Sequence, residues 1–132
     1  MKIIADTNIL VRAVTEDDPV QSPLAQRLVA EAALVAIPLP ALCEFVWVLN
    51  RAYGFDRADV ARAIRALIAG DNVAVDVGAV EAGLAMLDAG GDFAAGVIAH
   101  EGEWLGGDIF ASFDRTAIEL LEGQGKPALL PV

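Results

Sequence analysis

At 132 residues the chain falls in the usual range of a single domain and is long enough to bury a sizeable core. It is 56% apolar and carries a formal charge of −10, from 9 basic and 19 acidic residues, which argues against a basic face that grips nucleic acid by neutralising phosphates. The single cysteine, Cys43, excludes an internal disulfide and any multi-cysteine zinc site.

The mean hydropathy is +0.53, rich enough that apolar surface is expected to be covered by a partner or a second copy. The longest apolar run, AALVAIPLPALC after Glu31, is short for a membrane span and is broken by Pro38 and Pro40. The N-terminus has only Lys2 before Asp6 and lacks signal-peptide architecture, so the chain reads as cytoplasmic with no membrane association. The acidic balance fits divalent metal or a basic protein partner.

In chain order, KIIAD reads as a buried strand, followed by a short helix from Thr7 to about Val14. TEDDPVQSP is a polar turn, with Pro19 and Pro23 near the start of the next helix, whose apolar face carries Leu24, Leu28 and Val29. Leu34 to Ile37 reads as a strand and Ala41 to Ala52 as a helix closed by Gly54, with Glu44 the one acid among its apolar residues. A second helix spans Asp56 to Ile68 with Arg57, Arg62 and Arg65 on its polar side. Val73 to Asp76 is a candidate strand, and Val80 to Ala89 a helix ending at Gly90-Gly91. Asp92 opens a helix reaching roughly His100, Asp108 to Phe113 reads as a strand, Arg115 to Leu121 as a helix, and Ala128 to Pro131 as a weak edge strand. Strands alternating with helices predict one α/β domain over residues 1–132, built on a mainly parallel sheet with helices on both faces.

Ligands of such sheets bind beyond the carboxyl ends of the strands. Asp6 ends the first strand and Asp114 follows the last confident one, so both are expected at the same sheet edge. Glu44 lies early in the helix after the second strand, and Asp92 begins the helix before the last. Carboxylates gathered without a basic neighbour repel one another unless a cation sits among them. Mg²⁺ or Mn²⁺ suits an oxygen-rich site, with Thr7, Asn8 and Ser112 as further oxygens or orienting groups. Such a metal suits hydrolysis of a phosphodiester without any histidine.

Each acid also has an ordinary use. Asp6 or Asn8, Asp92 and Asp114 stand where an N-cap belongs, and Asp92 after Gly90-Gly91 is the best of these cap candidates. Glu44 resists that reading, because a carboxylate among apolar residues needs a partner or a metal. Cys43 reads as a buried small hydrophobe. His100, roughly 80° around its helix from Asp92, reads as structural. Trp47 and Trp104 have base stacking as one use and core or interface packing as the commoner one. Arg12, one turn along from Asn8, is either a phosphate contact or, by default, solvated or ion-paired.

The stretches ADTNILVRAV, LCEFVWVL, GGDFAAGVIA and ASFDR, in this order, resemble the acidic motifs of PIN-domain nucleases, closest to the VapC-type toxins of toxin–antitoxin modules. The resemblance covers essentially the whole chain. It implies a three-layer α/β/α sandwich around a parallel sheet, and a Mg²⁺- or Mn²⁺-dependent endoribonuclease whose acids are Asp6, Glu44, Asp92 and Asp114. Asp6, Asp92 and Asp114 would anchor metal and Glu44 would orient or deprotonate the attacking water. It further implies a homodimer, an RNA substrate, a VapB-type antitoxin lying across the active-site groove, and no direct DNA binding by this chain. One position departs from the pattern. Relatives often carry D-F-A-D where this chain has Asp92-Phe93-Ala94-Ala95, and residues three apart share a helix face, so Ala95 is expected beside the site and Gly96 to weaken the helix. Two other readings stand beside the nuclease. One is a catalytically impaired, antitoxin-binding partner in a DNA-bound repressor complex. The other is a metal-dependent phosphatase, suggested by Asp6-Thr7-Asn8.

Overall fold

The computed structural model describes all 132 residues. The chain is an α/β protein with seven helices and a small parallel three-stranded sheet, and a second ladder of two short strands. Its contacts gather into two compact units, Met1–Asp76 and Val77–Val132. No helix is long and apolar enough to cross a membrane.

The first unit runs β1 (Lys2–Ile4), α1 (Thr7–Thr15), α2 (Gln21–Glu31), β2 (Leu34–Ala36), α3 (Leu39–Tyr53), α4 (Arg57–Ile68) and β3 (Val73–Ala74). The strands lie parallel in the order β1-β2-β3, with Ile3 opposite Val35 and Val35 opposite Val73. Parallel neighbours need crossover connections, which the intervening helices supply. The middle strand is paired on both sides and buries Val35, whereas β1, expected to be a buried strand, leaves Ile4 79% exposed. Residues in a strand alternate between faces, so Ile3 is half-buried while Lys2 and Ile4 point outward. The core is filled by Leu10 of α1, Leu42, Phe45 and Leu49 of α3, and Val60 and Ile64 of α4. Asn72 fastens the start of β3 by donating from Nδ2 to the Val29 and Ala32 carbonyls at 2.8 and 2.9 Å.

α3 begins two residues before the expected Ala41, with Pro38 at its N-cap and Pro40 in its first turn. Proline is tolerated there because the missing N–H has no intrahelical partner anyway. Gly54 ends the helix at φ +67°, a left-handed conformation that glycine adopts without a Cβ clash. Asp56 starts α4 by accepting from Asp59 N at 2.8 Å.

The second unit runs α5 (Val77–Asp88), α6 (Phe93–Trp104), β4 (Phe110–Ala111), α7 (Arg115–Gly123) and β5 (Ala128–Leu129). β4 and β5 pair in parallel, Phe110 opposite Ala128 and Ala111 opposite Leu129. α5 starts three residues earlier, and α6 ends four later, than the sequence pattern suggests. The strand expected over Asp108 to Phe113 shrinks to two paired residues, with Ile109 and Phe113 largely exposed. α5 and α6 meet through glycine. A Cβ on Gly96 would lie 2.3 Å from the Ala82 carbonyl oxygen, and one on Gly83 would lie 2.5 Å from the Phe93 ring. Gly96 is thus a contact point between helices rather than a weak point in one, and Phe93 is fully buried. Behind them Met86, Ala95, Ala117 and Leu121 form an apolar cluster.

Three side chains differ from their sequence reading. Trp47 and Trp104 are 60% and 81% exposed, so neither packs in the core. Arg51 stacks its guanidinium over the Trp47 ring, 5.6 Å from the centroid. Cys43 is only half-buried.

Candidate functional site

In the first unit, α1 starts immediately after the polypeptide leaves β1. Asp6 holds the extended backbone of an N-cap (φ −77°, ψ 162°), and its Oδ1 accepts from Thr7 N at 2.8 Å. That bond goes to the adjacent residue, whereas a capping carboxylate ordinarily reaches the second or third helical N–H. Since a carboxylate can accept several hydrogen bonds or ligands, one N–H leaves capacity for a cation. Thr7 is buried, and its hydroxyl donates to the Ala41 carbonyl at 3.4 Å, tying the start of α1 to the first turn of α3. One turn further along α3 stands Glu44. It is exposed, on the flank opposite Leu42, Phe45 and Leu49, so the expectation of an acid enclosed by apolar neighbours is not met. What α3 does instead is bring Glu44 to the wall of a cavity of about 320 Å³, shared with Asp6, Thr7, Asn8, Arg12 and Tyr53.

Beside this cavity lies a polar network that the sequence reading missed. Arg12 makes an ion pair with Asp17, Nη1 to Oδ1 at 2.9 Å, and donates from Nε to Gln21 Oε1 at 2.9 Å. This realises the ion-paired reading of Arg12. Tyr53 OH donates to Asp17 Oδ2 at 2.7 Å, and Thr15 Oγ1 donates to Asp17 Oδ1 at 2.7 Å. The hydrogen bond from Tyr53, seconded by Thr15 and Arg12, holds the Asp17 carboxyl down at about 2. The same bond raises the Tyr53 phenol. Next to it Asp18 Oδ1 accepts from Gln21 N and Val20 N at 2.7 and 2.9 Å, which lowers that carboxyl as well. The signal in the sequence was TEDD, whose acids looked like an ordinary solvated turn.

In the second unit the two expected acids differ from each other. Asp114 is an ordinary N-cap: its Oδ1 accepts from Ala117 N at 3.2 Å, and Ser112 Oγ accepts from Asp114 N at 3.0 Å. The Ser112 bond goes to the Asp114 backbone and leaves the carboxylate untouched. Asp92 occupies the N-cap of α6 yet makes no capping hydrogen bond, and it is exposed. Ala95 does not stand beside it at a surface site. It is 8% exposed and packs in the apolar cluster with Met86, Ala117 and Leu121.

Neither unit by itself groups three acidic, histidine or cysteine side chains as a metal-ligand set. The first unit does hold a donor set that fits a hard divalent cation. Asp6 and Glu44 supply two carboxylates, and Asn8 and Thr7 add an amide and a hydroxyl on the same cavity wall. Mg²⁺ is commonly held by one or two carboxylates with water completing its shell, so these residues are compatible with it. No model of a known protein family matches the chain, and no curated protein is similar enough in sequence to match it.

Proposed function

We propose that the chain is a VapC-type toxin, a PIN-like Mg²⁺- or Mn²⁺-dependent endoribonuclease with a three-layer α/β/α architecture. In this reading it acts in the cytoplasm as a homodimer restrained by a VapB-type antitoxin. The observation that carries the reading is the cavity bordered by Asp6, Thr7, Asn8 and Glu44, where residues from two separate motifs offer oxygen donors to one space. When bound, Mg²⁺ or Mn²⁺ supplies Lewis-acid stabilisation of charge on phosphorus and a more acidic water. Asp6 contributes a carboxylate that its single N–H bond leaves open to a cation. Glu44, exposed and unburdened by burial, accepts the proton of the attacking water. The water oxygen bonds to phosphorus as the bond to the 3′ oxygen breaks, and the departing 3′ oxygen takes a proton from solvent, leaving a 5′-phosphate and a 3′-hydroxyl. Asp92 and Asp114 are assigned metal-ligating roles by their motifs, and the carboxylate of Asp92, free of a capping bond, suits that role better.

The test is cleavage of structured RNA with Mn²⁺, with and without chelator. Asp6→Ala abolishes chelator-sensitive cleavage, and Glu44→Gln lowers it by about 10²- to 10⁴-fold. Intact cleavage by Asp6→Ala would overturn the assignment.

The second reading, a non-catalytic antitoxin-binding partner in a DNA-bound repressor complex, draws on Ala95. An apolar residue packed among Met86, Ala117 and Leu121 contributes no carboxylate. Titration calorimetry with Mn²⁺ separates the two: heat saturating below millimolar metal favours the nuclease, and none at millimolar metal favours the inert partner.

A further inference from the structure

The cavity that holds Asp6 and Glu44 does not end at α1. A second cavity of about 480 Å³ lies between α1 and α2, and both are bordered by Asn8 and Arg12. The two adjoin at these shared residues, so the groove they make has the acid pair bordering one cavity and Ile9, Leu24 and Leu28 bordering the other. Among all residues lining it, Arg12 is the one basic side chain.

Its donors divide cleanly. Nε is taken by Gln21, and Nη1 by Asp17 at 2.9 Å and Tyr53 OH at 3.4 Å. The hydrogens of Nη2 remain for a ligand. Held from two sides by these partners, the guanidinium is already oriented, so a ligand that uses Nη2 pays little further side-chain entropy. In a chain of charge −10, a polyanion finds few cations to meet, and one fixed beside an acidic, cation-accepting cavity matters more than it would on a basic surface.

We infer that Arg12 holds a backbone phosphate of single-stranded RNA in this groove, next to the nucleotide presented to Asp6 and Glu44. The inference rests on the nuclease reading for the identity of the polyanion. It assigns Arg12 a positioning role: the phosphate it holds is not the one cleaved, and Asp17, Gln21 and Tyr53 fix where that phosphate sits.

The experiment is a fluorescence-anisotropy titration of a labelled, short single-stranded RNA onto the full chain in EDTA, repeated from about 0.05 to 0.2 M salt. Arg12→Gln is expected to bind about tenfold more weakly and to flatten the slope of log affinity against log salt by roughly 0.7, one phosphate contact on a single strand. Arg12→Lys keeps the charge and therefore the slope, while losing part of the affinity with its fork of donors. Asp17→Asn disturbs the same network yet leaves the Arg12 charge in place, so it keeps the slope even where it lowers thermal stability. A merely structural Arg12 would give the opposite pattern, with Arg12→Gln and Asp17→Asn equally destabilised and both slopes unchanged, and that result overturns the inference. Absence of RNA binding by the unmodified chain overturns it too. Cleavage with Mn²⁺, measured in parallel, reports on the nuclease reading separately. Loss of slope without any cleavage leaves the contact standing and removes the nuclease, and cleavage with an unchanged slope does the reverse.

Discussion

Asp6 and Asp114 occupy the same place in the two units, just after a strand and at the mouth of a helix, yet their carboxylates are used differently. Asp114 reaches forward to Ala117 N and closes the first turn of α7. Asp6 reaches only the adjacent Thr7 N and borders a cavity shared with Glu44. The surroundings differ in the same sense. The first unit carries most of the bases and sets Arg12 among three partners, while the second has only Arg115 and Lys126 against nine acids. An aspartate at a strand-to-helix turn therefore does not declare its role by position. What separates the two is whether a second acid from another helix comes to the same wall.

The largest test of this contrast is Ala95→Asp, which puts a carboxylate three positions after Asp92 on α6. If the second unit were built like the first, the new carboxylate would find an open wall. Packed instead against Met86, Ala117 and Leu121, it has no partner, and an uncompensated buried charge costs about 3–5 kcal/mol. Urea unfolding followed by circular dichroism is expected to show this loss as a lower midpoint with an unchanged slope. A variant as stable as the parent would mean that α6 turns Ala95 toward solvent, and would bring the two units closer in kind. Any activity test of Ala95→Asp should carry this stability control, because loss of fold would mask a gain of chemistry.

A smaller effect separates the two caps of the second unit. Asp114→Ala removes the bond to Ala117 N and is expected to cost about 1 kcal/mol. Asp92→Ala removes no capping bond and should stay within about 0.5 kcal/mol of the parent. The measurement is the same unfolding curve, and activity makes it sharper. If Asp92→Ala leaves stability untouched but lowers Mn²⁺-dependent cleavage, its carboxylate is retained for ligand binding. Equal losses of stability for both variants would make Asp92 an ordinary cap.

Local chemistry made most elements legible. Gly54 and Asp56 mark the end of α3 and the start of α4 because one tolerates a left-handed backbone and the other accepts the orphan N–H of Asp59. Boundaries failed where the punctuation is ambiguous or missing. Asp76 stands directly before α5, where an N-cap belongs, but taken as the last residue of a strand it does not announce that helix, and α6 runs on to Trp104 with no left-handed glycine before Gly106. The length of β4 was illegible for another reason, since a strand ends where its partner ends, and β5 offers only Ala128 and Leu129. The strands also pair in two ladders rather than the one sheet expected, because pairing partners are chosen over distances that periodicity does not encode. At the site, Asp6 and Glu44 were nameable from their motifs. Their common wall was not, nor was the network in which Asp17 meets Tyr53 from thirty-six positions away.

That network yields the smallest effect at neutral pH and the clearest one in acid. The pair of Arg12 and Asp17 is partly exposed, 32% and 38% by side chain, so salt and solvent screen it and its removal is mild. Its pH dependence is nevertheless defined. Asp17 falls from its ordinary 3.8 to about 2 on folding, because Tyr53, Thr15 and Arg12 all donate to its charged form. A carboxyl depressed in the folded state adds stability that is complete above the unfolded value and is lost as pH falls through the folded one. The parent and Asp17→Asn should therefore differ most above about pH 4 and converge as pH drops to about 2. Thermal unfolding across that window measures the difference directly, and added salt should narrow it above pH 4. A gap that persists unchanged at pH 2 would mean that Asp17 acts there through shape rather than charge, and the first unit would then owe its ordered groove to packing, as the second owes its core to Ala95 and Phe93.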